Sequence, residues 1–296
     1  MRDLSRREFL SGLAATAFAG GVFAKWGLAE GAAVPRMGVC DWSMGMGFDP
    51  GSLATAKAIG LDGVEISAGT PVDTLEISDA GLREKYKAAM AETGVTVCSM
   101  AMGFLNNAPL ATDPRGPSWL EQSIDAGSDL GAKVLLMAFF GNGDLRRGRK
   151  LKEEEMKSAA ARIRAAAPRA KDKGVILAVE NTLSGRDNLT LLDMIGDDSV
   201  KVYYDIGNST FNGFDVPAEI RELGDRICQI HFKAGKDFLG QGEVDVPAAV
   251  KAIQDIKYSG WIVLETSCPT KDTVADFRTN LEYTRGVFAG TQGGTA

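Results

Sequence analysis

The feature that most constrains this chain is an eightfold alternation. Short apolar runs recur at Met37–Asp41, Gly63–Ile66, Val95–Met100, Val134–Ala138, Val175–Glu180, Val200–Asp205, Ile227–His231 and Trp261–Glu265. Most are continuous rather than alternating, as strands of a parallel sheet must be when both faces are covered. Helical segments fill the gaps, and several stop at a glycine: Ser78 or Asp79 to Glu92 before Gly94, Glu121–Leu130 before Gly131, and Lys152–Lys173 before Gly174. Pro168, near the end of the third of these, predicts a kink or break. Asp49-Pro50-Gly51-Ser52-Leu53 reads as an N-cap with Pro at the first helical position. Asn188–Ile195, Val216–Leu223, Val246–Ile256 and Thr273–Phe288 supply the remaining helices. Eight strand–helix units predict a closed (β/α)8 TIM barrel, an α/β fold, and the stretch 34–296 fits the roughly 250 residues such a barrel needs. No linker or shift of composition interrupts it, so it reads as a single domain.

Composition narrows the function. Lys and Arg number 33 against 39 Asp and Glu, a net charge of −6, so the chain has no general attraction to a phosphate backbone and nucleic acid is excluded as a partner. There is one histidine, His231, which rules out any site built from several imidazoles. The four cysteines, Cys40, Cys98, Cys228 and Cys268, allow disulfides, but the first three lie in apolar runs and read as buried small hydrophobes.

The N-terminus reads as an address. Ser5-Arg6-Arg7-Glu8-Phe9-Leu10 precedes a mild Ala- and Gly-rich stretch reaching about Ala24, the pattern of a twin-arginine export signal. The stretch is too short and glycine-rich for a membrane span. Residues 1–33 are thus expected to be a signal peptide and short linker, cleaved after Ala24 or between Ala29 and Ala33. The mature protein would be periplasmic or secreted, delivered by the twin-arginine machinery, with no stable membrane anchor. The oligomeric state is open, a homo-oligomer included.

The last four apolar runs end alike, in Glu180, Asp205, His231 and Glu265. The carboxyl ends of all barrel strands converge on one face, so these four side chains are expected around a common centre. Three carboxylates crowded there repel one another unless protons or a cation compensate. Oxygen donors with one nitrogen suit a single divalent ion, Mn2+ first, with Mg2+ or Co2+ as alternatives. Trp42, Met100, Met102, Phe139 and Phe140 fall at or just past strand ends, either as core or as an apolar wall. Glu65, ending the second run, is a partner of a ligand, a substrate contact or a salt-bridge member.

Leu177-Ala178-Val179-Glu180-Asn181, Tyr204-Asp205-Ile206-Gly207-Asn208, His231-Phe232-Lys233 and Gly260-Trp261-Ile262-Val263-Leu264-Glu265 resemble the sugar phosphate isomerase/epimerase family of xylose isomerase-like barrels. The segments Gly60-Leu61-Asp62-Gly63-Val64-Glu65-Ile66 and Leu239-Gly240-Gln241-Gly242-Glu243-Val244-Asp245 are similar to its second strand and to its loop after strand seven. The resemblance implies metal ligands at Glu180, Asp205, His231 and Glu265, with Glu180 and Glu265 as the acid/base pair. It implies a substrate contact at Lys233, and Asn208, Glu65 and Trp42 are further candidates from their places at strand ends. Asn208 is a departure, since the family often carries His at that position.

The chemistry implied is proton abstraction from a carbon next to a carbonyl, with a divalent ion stabilising the enediolate. Return of the proton gives an isomerase or epimerase acting on a small-molecule carbohydrate, free or oxidised. The same first step serves a metal-dependent lyase or hydratase on a keto-sugar or 3-keto-glycoside. A non-catalytic carbohydrate-binding barrel is the alternative of another class.

Overall fold

A computed structural model of the chain describes residues 34–290. Eight parallel strands form the barrel: β1 (Arg36–Cys40), β2 (Gly63–Ser67), β3 (Thr96–Met102), β4 (Val134–Phe139), β7 (Ile176–Asn181), β8 (Lys201–Asp205), β9 (Ile227–Phe232) and β10 (Trp261–Leu264). A small antiparallel hairpin, β5 (Arg146–Arg147) and β6 (Lys150–Leu151), lies between β4 and β7 in sequence. Each barrel strand pairs with the next, and β10 closes on β1 with Val39 opposite Leu264. The expected single (β/α)8 barrel is therefore the observed fold.

The helices are α1 (Ser52–Ile59), α2 (Ala80–Thr93), α3 (Gly116–Leu130), α4 (Glu153–Lys173), α5 (Gly185–Ile195), α6 (Ile206–Phe211), α7 (Val216–Leu223), α8 (Val246–Asp255) and α9 (Thr273–Phe288). Their starts follow capping chemistry. Asp79, Ser184, Asp215, Asp245 and Asp272 each accept a hydrogen bond from a backbone N–H in the first turn. Two expectations are corrected. The first helix begins at Ser52, with Asp49 instead accepting from the Gly51 N–H in the preceding turn. Pro168 lies inside α4 and does not break it, because the helix runs on through Lys173.

The period of two along each strand separates a core under the helices from clusters inside the barrel, of which Cys40, Cys98 and Val263 form a small one. Residues such as Val39, Leu177, Val179 and Ile230 face the helices and join one large cluster. Ala101, Leu136, Ala138, Ala178 and Tyr203 pack in a separate cluster inside the barrel. Because Ala178 and Tyr203 point inward, so do the residues two places on, Glu180 and Asp205. The strand period thus turns terminal carboxylates into the barrel mouth. All four cysteines are free, with Cys40 and Cys98 buried as expected, whereas Cys228 is only half-buried. Among the described residues no helix is long and apolar enough to cross a membrane. The twin-arginine motif and the proposed cleavage positions lie outside the described residues.

Candidate active site

Glu180, Asp205, His231 and Glu265 converge as their strand positions require. One ligating atom from each lies within 4.8 Å of the others. The His231 ring is fully buried, and its Nδ1 sits 3.2 Å from Glu180 Oε1 and 3.5 Å from Glu265 Oε2. Asp205 is divided between two tasks. Its Oδ1 accepts from the Gly207 and Asn208 N–H groups at 2.7 and 2.9 Å, capping α6. Its Oδ2 is buried, accepts no hydrogen bond, and meets only the Lys233 ammonium at 3.5 Å. That oxygen is aimed into the cluster.

Lys233 Nζ lies 2.7 Å from Glu265 Oε2 and donates to Asn208 Oδ1 at 3.4 Å. The Asn208 amide donates onward to Glu180 Oε1 at 3.4 Å, and the Trp42 indole N–H to Glu265 Oε1 at 3.1 Å. Gly207 makes this arrangement possible. A Cβ there would stand 2.8 Å from the Lys233 backbone oxygen and from its Cβ. The glycine lets the first turn of α6 press against the chain after β9, which brings Asn208 to Lys233.

Below the cluster the barrel interior is polar. His231 Nε2 lies 2.8 Å from Glu65 Oε2, which also accepts from the Tyr203 hydroxyl at 2.7 Å. Cys40 Sγ is 3.4 Å from the same imidazole nitrogen. Gln229 donates to Tyr203 and Ser99 at 3.0 and 2.7 Å. Strand register shifts between Val64 and Glu65 and between Val202 and Tyr203, and such irregularities re-aim side chains near sites. Glu65 is therefore corrected from a substrate contact. It is fully buried beneath His231 and absent from the cavity wall.

The electrostatics fit a cation. Burial pushes the Glu180 carboxyl up to about 7 and raises Asp205 as well. Burial alone would lower the His231 imidazole, yet neighbouring charge from Glu180, Glu65 and Glu265 holds it well above its ordinary value. Cys40, raised by burial, stays a neutral thiol and lends no charge to that effect. Glu265 is drawn below its ordinary value against burial, by His231 and Lys233. A cluster that so strongly favours a proton on its imidazole offers the same field to a metal ion. A neutral His231 with its hydrogen on Nε2 donates to Glu65 and leaves the Nδ1 lone pair facing Glu180 and Glu265. The donor set fits a divalent ion.

Above the cluster opens a cavity of about 580 Å3. Glu180, Glu265, Asn208, Lys233 and Trp42 line one end. The opposite wall comes from the ends of β2, β3 and β4, including Thr70, Pro71, Phe104, Asn107 and Phe140. Of the aromatic and methionine candidates, Trp42 and Phe140 reach the cavity, whereas Met100, Met102 and Phe139 are buried and do not. Sequence reasoning missed Tyr203, Cys40 and the loop residues of the far wall. Tyr203 was accessible to it, standing two residues before Asp205 on the same strand face.

Comparison with known proteins agrees with this architecture. Over 227 residues the chain is 25% identical to 2-epi-5-epi-valiolone 7-phosphate 2-epimerase of Actinoplanes sp., covering 74% of this chain and 82% of the relative. The fold matches D-psicose 3-epimerase with D-tagatose from Clostridium cellulolyticum H10 at a TM-score of 0.72 and 16% identity, covering 86% of this chain and 99% of that one. It also matches the apo form of 3-keto-D-glucoside 4-epimerase, YcjR, from E. coli at a TM-score of 0.70 and 16% identity, covering 85% and 99%. With the sequence model for xylose isomerase-like TIM barrels matching residues 53–287, the chain belongs to that family.

Proposed function

We propose that the protein is a metal-dependent carbohydrate epimerase or isomerase that moves a proton at a carbon next to a carbonyl. The observation that carries this reading is the meeting of Glu180 and Glu265 with Asp205 and His231 at the floor of an open cavity. The relatives' names support it, since all three are epimerases.

Glu180, Asp205, His231 and Glu265 would hold one divalent ion, Mn2+ first, which when bound supplies Lewis acidity toward the substrate's carbonyl and hydroxyl oxygens. Glu180 and Glu265 act as the two bases, one taking the proton and the other returning it. Trp42 and Lys233 fix the Glu265 carboxylate by hydrogen bond and ion pair. Asn208 does the same for Glu180 and links it to Lys233. Lys233 and Asn208 also face the cavity, where they can bind substrate hydroxyls. Ser5-Arg6-Arg7-Glu8-Phe9-Leu10 supports export by the twin-arginine route to the periplasm or beyond.

The test is exchange in D2O. Mn2+-loaded protein should place deuterium at the carbon beside the carbonyl of its sugar. Glu180→Gln and Glu265→Gln should each lose roughly 10²–10⁴-fold in turnover, the usual worth of a general base. Near-normal turnover in Glu265→Gln would overturn the two-base reading.

A further inference from the structure

The cavity is unequal in charge and larger than one sugar. Its charged groups sit at one end: Glu180 and Glu265 on the lining, Asp205 just beneath, and Lys233. Lys233 is the single cation lining it among the described residues, and both Asp205 and Glu265 already engage it. The rest of the lining is uncharged, with Thr70, Asn106, Asn107, Pro71, Phe104 and Phe140 supplying its hydroxyl, amide and ring groups. Arg115 stands behind that wall without offering its charge to it. Its Nη1 donates to the Pro71 carbonyl at 2.7 Å, while Asp113 takes Nε and Nη2 at 2.9 and 2.7 Å.

The wall is a built surface. Thr70 is tied by its N–H and hydroxyl to the two Glu76 carboxylate oxygens at 2.7 and 2.6 Å. Gly69 permits this, since a Cβ there would lie 2.5 Å from Glu76 Oε2. Asn106 accepts the Phe140 N–H at 3.0 Å and so ties the loop after β3 to the end of β4. Asn107 and Thr70 are exposed, free to meet hydroxyls from above.

A sugar phosphate brings a dianion into this space. With a divalent ion bound, the three carboxylates and Lys233 would already be neutralised, so the phosphate would find no cationic partner on the lining. A dianion that gains no ion pair there while losing part of its hydration binds less well than the neutral sugar, by about tenfold or more. A hexose occupies about 200 Å3 at close packing, and the cavity measures about 580 Å3. Ligand sites normally enclose most of what they bind.

We propose that this cavity takes an uncharged carbohydrate of two rings. The reacting sugar lies at the Glu180–Glu265 end, and the second ring or other neutral aglycone lies along Thr70, Pro71, Gly103, Asn107 and Phe140. The assignment rests on the epimerase reading above and names its substrate class. The Asn106 and Asn107 amides bind the second ring's hydroxyls, the Thr70 oxygen accepts from them while its own hydrogen stays on Glu76, and Phe140 packs the ring's C–H face.

Three ketoses alike at the reacting end test it on the full-length Mn2+-loaded protein: D-fructose, D-fructose 6-phosphate and 6-O-glucosyl-D-fructose. Deuterium uptake gives kcat/KM, and calorimetry gives affinity. The glucosyl ketose should exceed fructose by about tenfold or more in both, and the 6-phosphate should fall below fructose by at least about tenfold. Gly103→Leu should fold, because a Cβ there meets no atom within 4 Å. It should cut the glucosyl-to-fructose ratio by about tenfold. Preference for the phosphate, or a glucosyl advantage that is missing or untouched by Gly103→Leu, overturns the proposal while leaving the epimerase reading in place. Absence of deuterium uptake from all three removes the epimerase reading for 2-ketoses of this type, and the calorimetric order still decides the two-ring site.

Discussion

At the scale of single residues, the meeting of Glu180, Asp205, His231 and Glu265 was legible because each ends a strand and the barrel brings strand ends together. What lies beneath was less so. Glu65 could be read as a partner, a substrate contact or a salt bridge, since its depth depends on a register shift at Val64 that no sequence pattern announces. Its bond to His231 Nε2 sets the imidazole's orientation. Glu65→Gln should therefore weaken Mn2+ binding by about tenfold or more in calorimetry, the scale seen when the partner of a metal-bound histidine is lost. Unchanged affinity would reduce Glu65 to packing. Asp41 carries a separate expectation. It is fully enclosed, and burial pushes its carboxyl up to about 6 against hydrogen bonds from Ser67 and Phe48. A folded-state pKa raised above the unfolded one favours the protonated form. That stability is complete below about pH 4 and is lost as pH rises through about 6, by up to about 3 kcal/mol. Asp41→Asn keeps an acceptor for the Ser67 N–H and removes the charge. In urea unfolding it should gain on the parent between about pH 4.5 and pH 8, and a pH-independent difference would refute the assignment.

At the scale of elements, the long regular pieces were readable and the short ones were not. Asp79, Asp215, Asp245 and Asp272 cap helices where polar residues precede apolar periodicity. The six-residue α6 has no room for a period, and the hairpin at Arg146–Leu151 has charged residues where strands usually show apolar ones. The hairpin is held from outside itself, with Arg146 donating to Thr182 and Asn212 beyond the ends of β7 and α6. Pro168 misled because α4 is 21 residues long and well packed through Ile163, Ala167 and Ala170, which outweighs one missing hydrogen bond. The position of α6 depends on Gly207. Gly207→Ala puts a methyl against the Lys233 backbone, which cannot rotate away as a side chain could. It should destabilise the fold by about 1–3 kcal/mol, as overpacking does. Moving α6 also moves Asn208 and the cap on Asp205, so Mn2+ affinity should fall with stability. A variant with parental urea midpoint and parental affinity would contradict the account.

At the scale of the whole molecule, the barrel both creates the site and is strained by it. Four adjacent strands, β7 to β10, each bring a polar side chain to the same point, and three of these are buried or largely buried carboxylates. Their mutual repulsion acts across the seam between neighbouring strands, with Lys233 and the His231 proton as the compensating charges inside the protein. An ion that binds the folded chain and not the unfolded one stabilises by mass action, about 2.7 kcal/mol at a hundred times its dissociation constant. For a domain of this size each kcal/mol is worth about 2–4 °C in Tm, so chelation should lower Tm by about 5–10 °C and Mn2+ should restore it. The same experiment separates a specific site from general salt effects. His231→Ala removes the nitrogen ligand while the three carboxylates remain, so its Tm should respond little to either chelator or Mn2+, and elemental analysis should find the metal content reduced with it. If the parent's Tm ignores chelation, or the variant keeps the full Mn2+ response, the four strand ends are a polar cluster balanced by Lys233 and the His231 proton, and the chemistry assigned to them must be withdrawn.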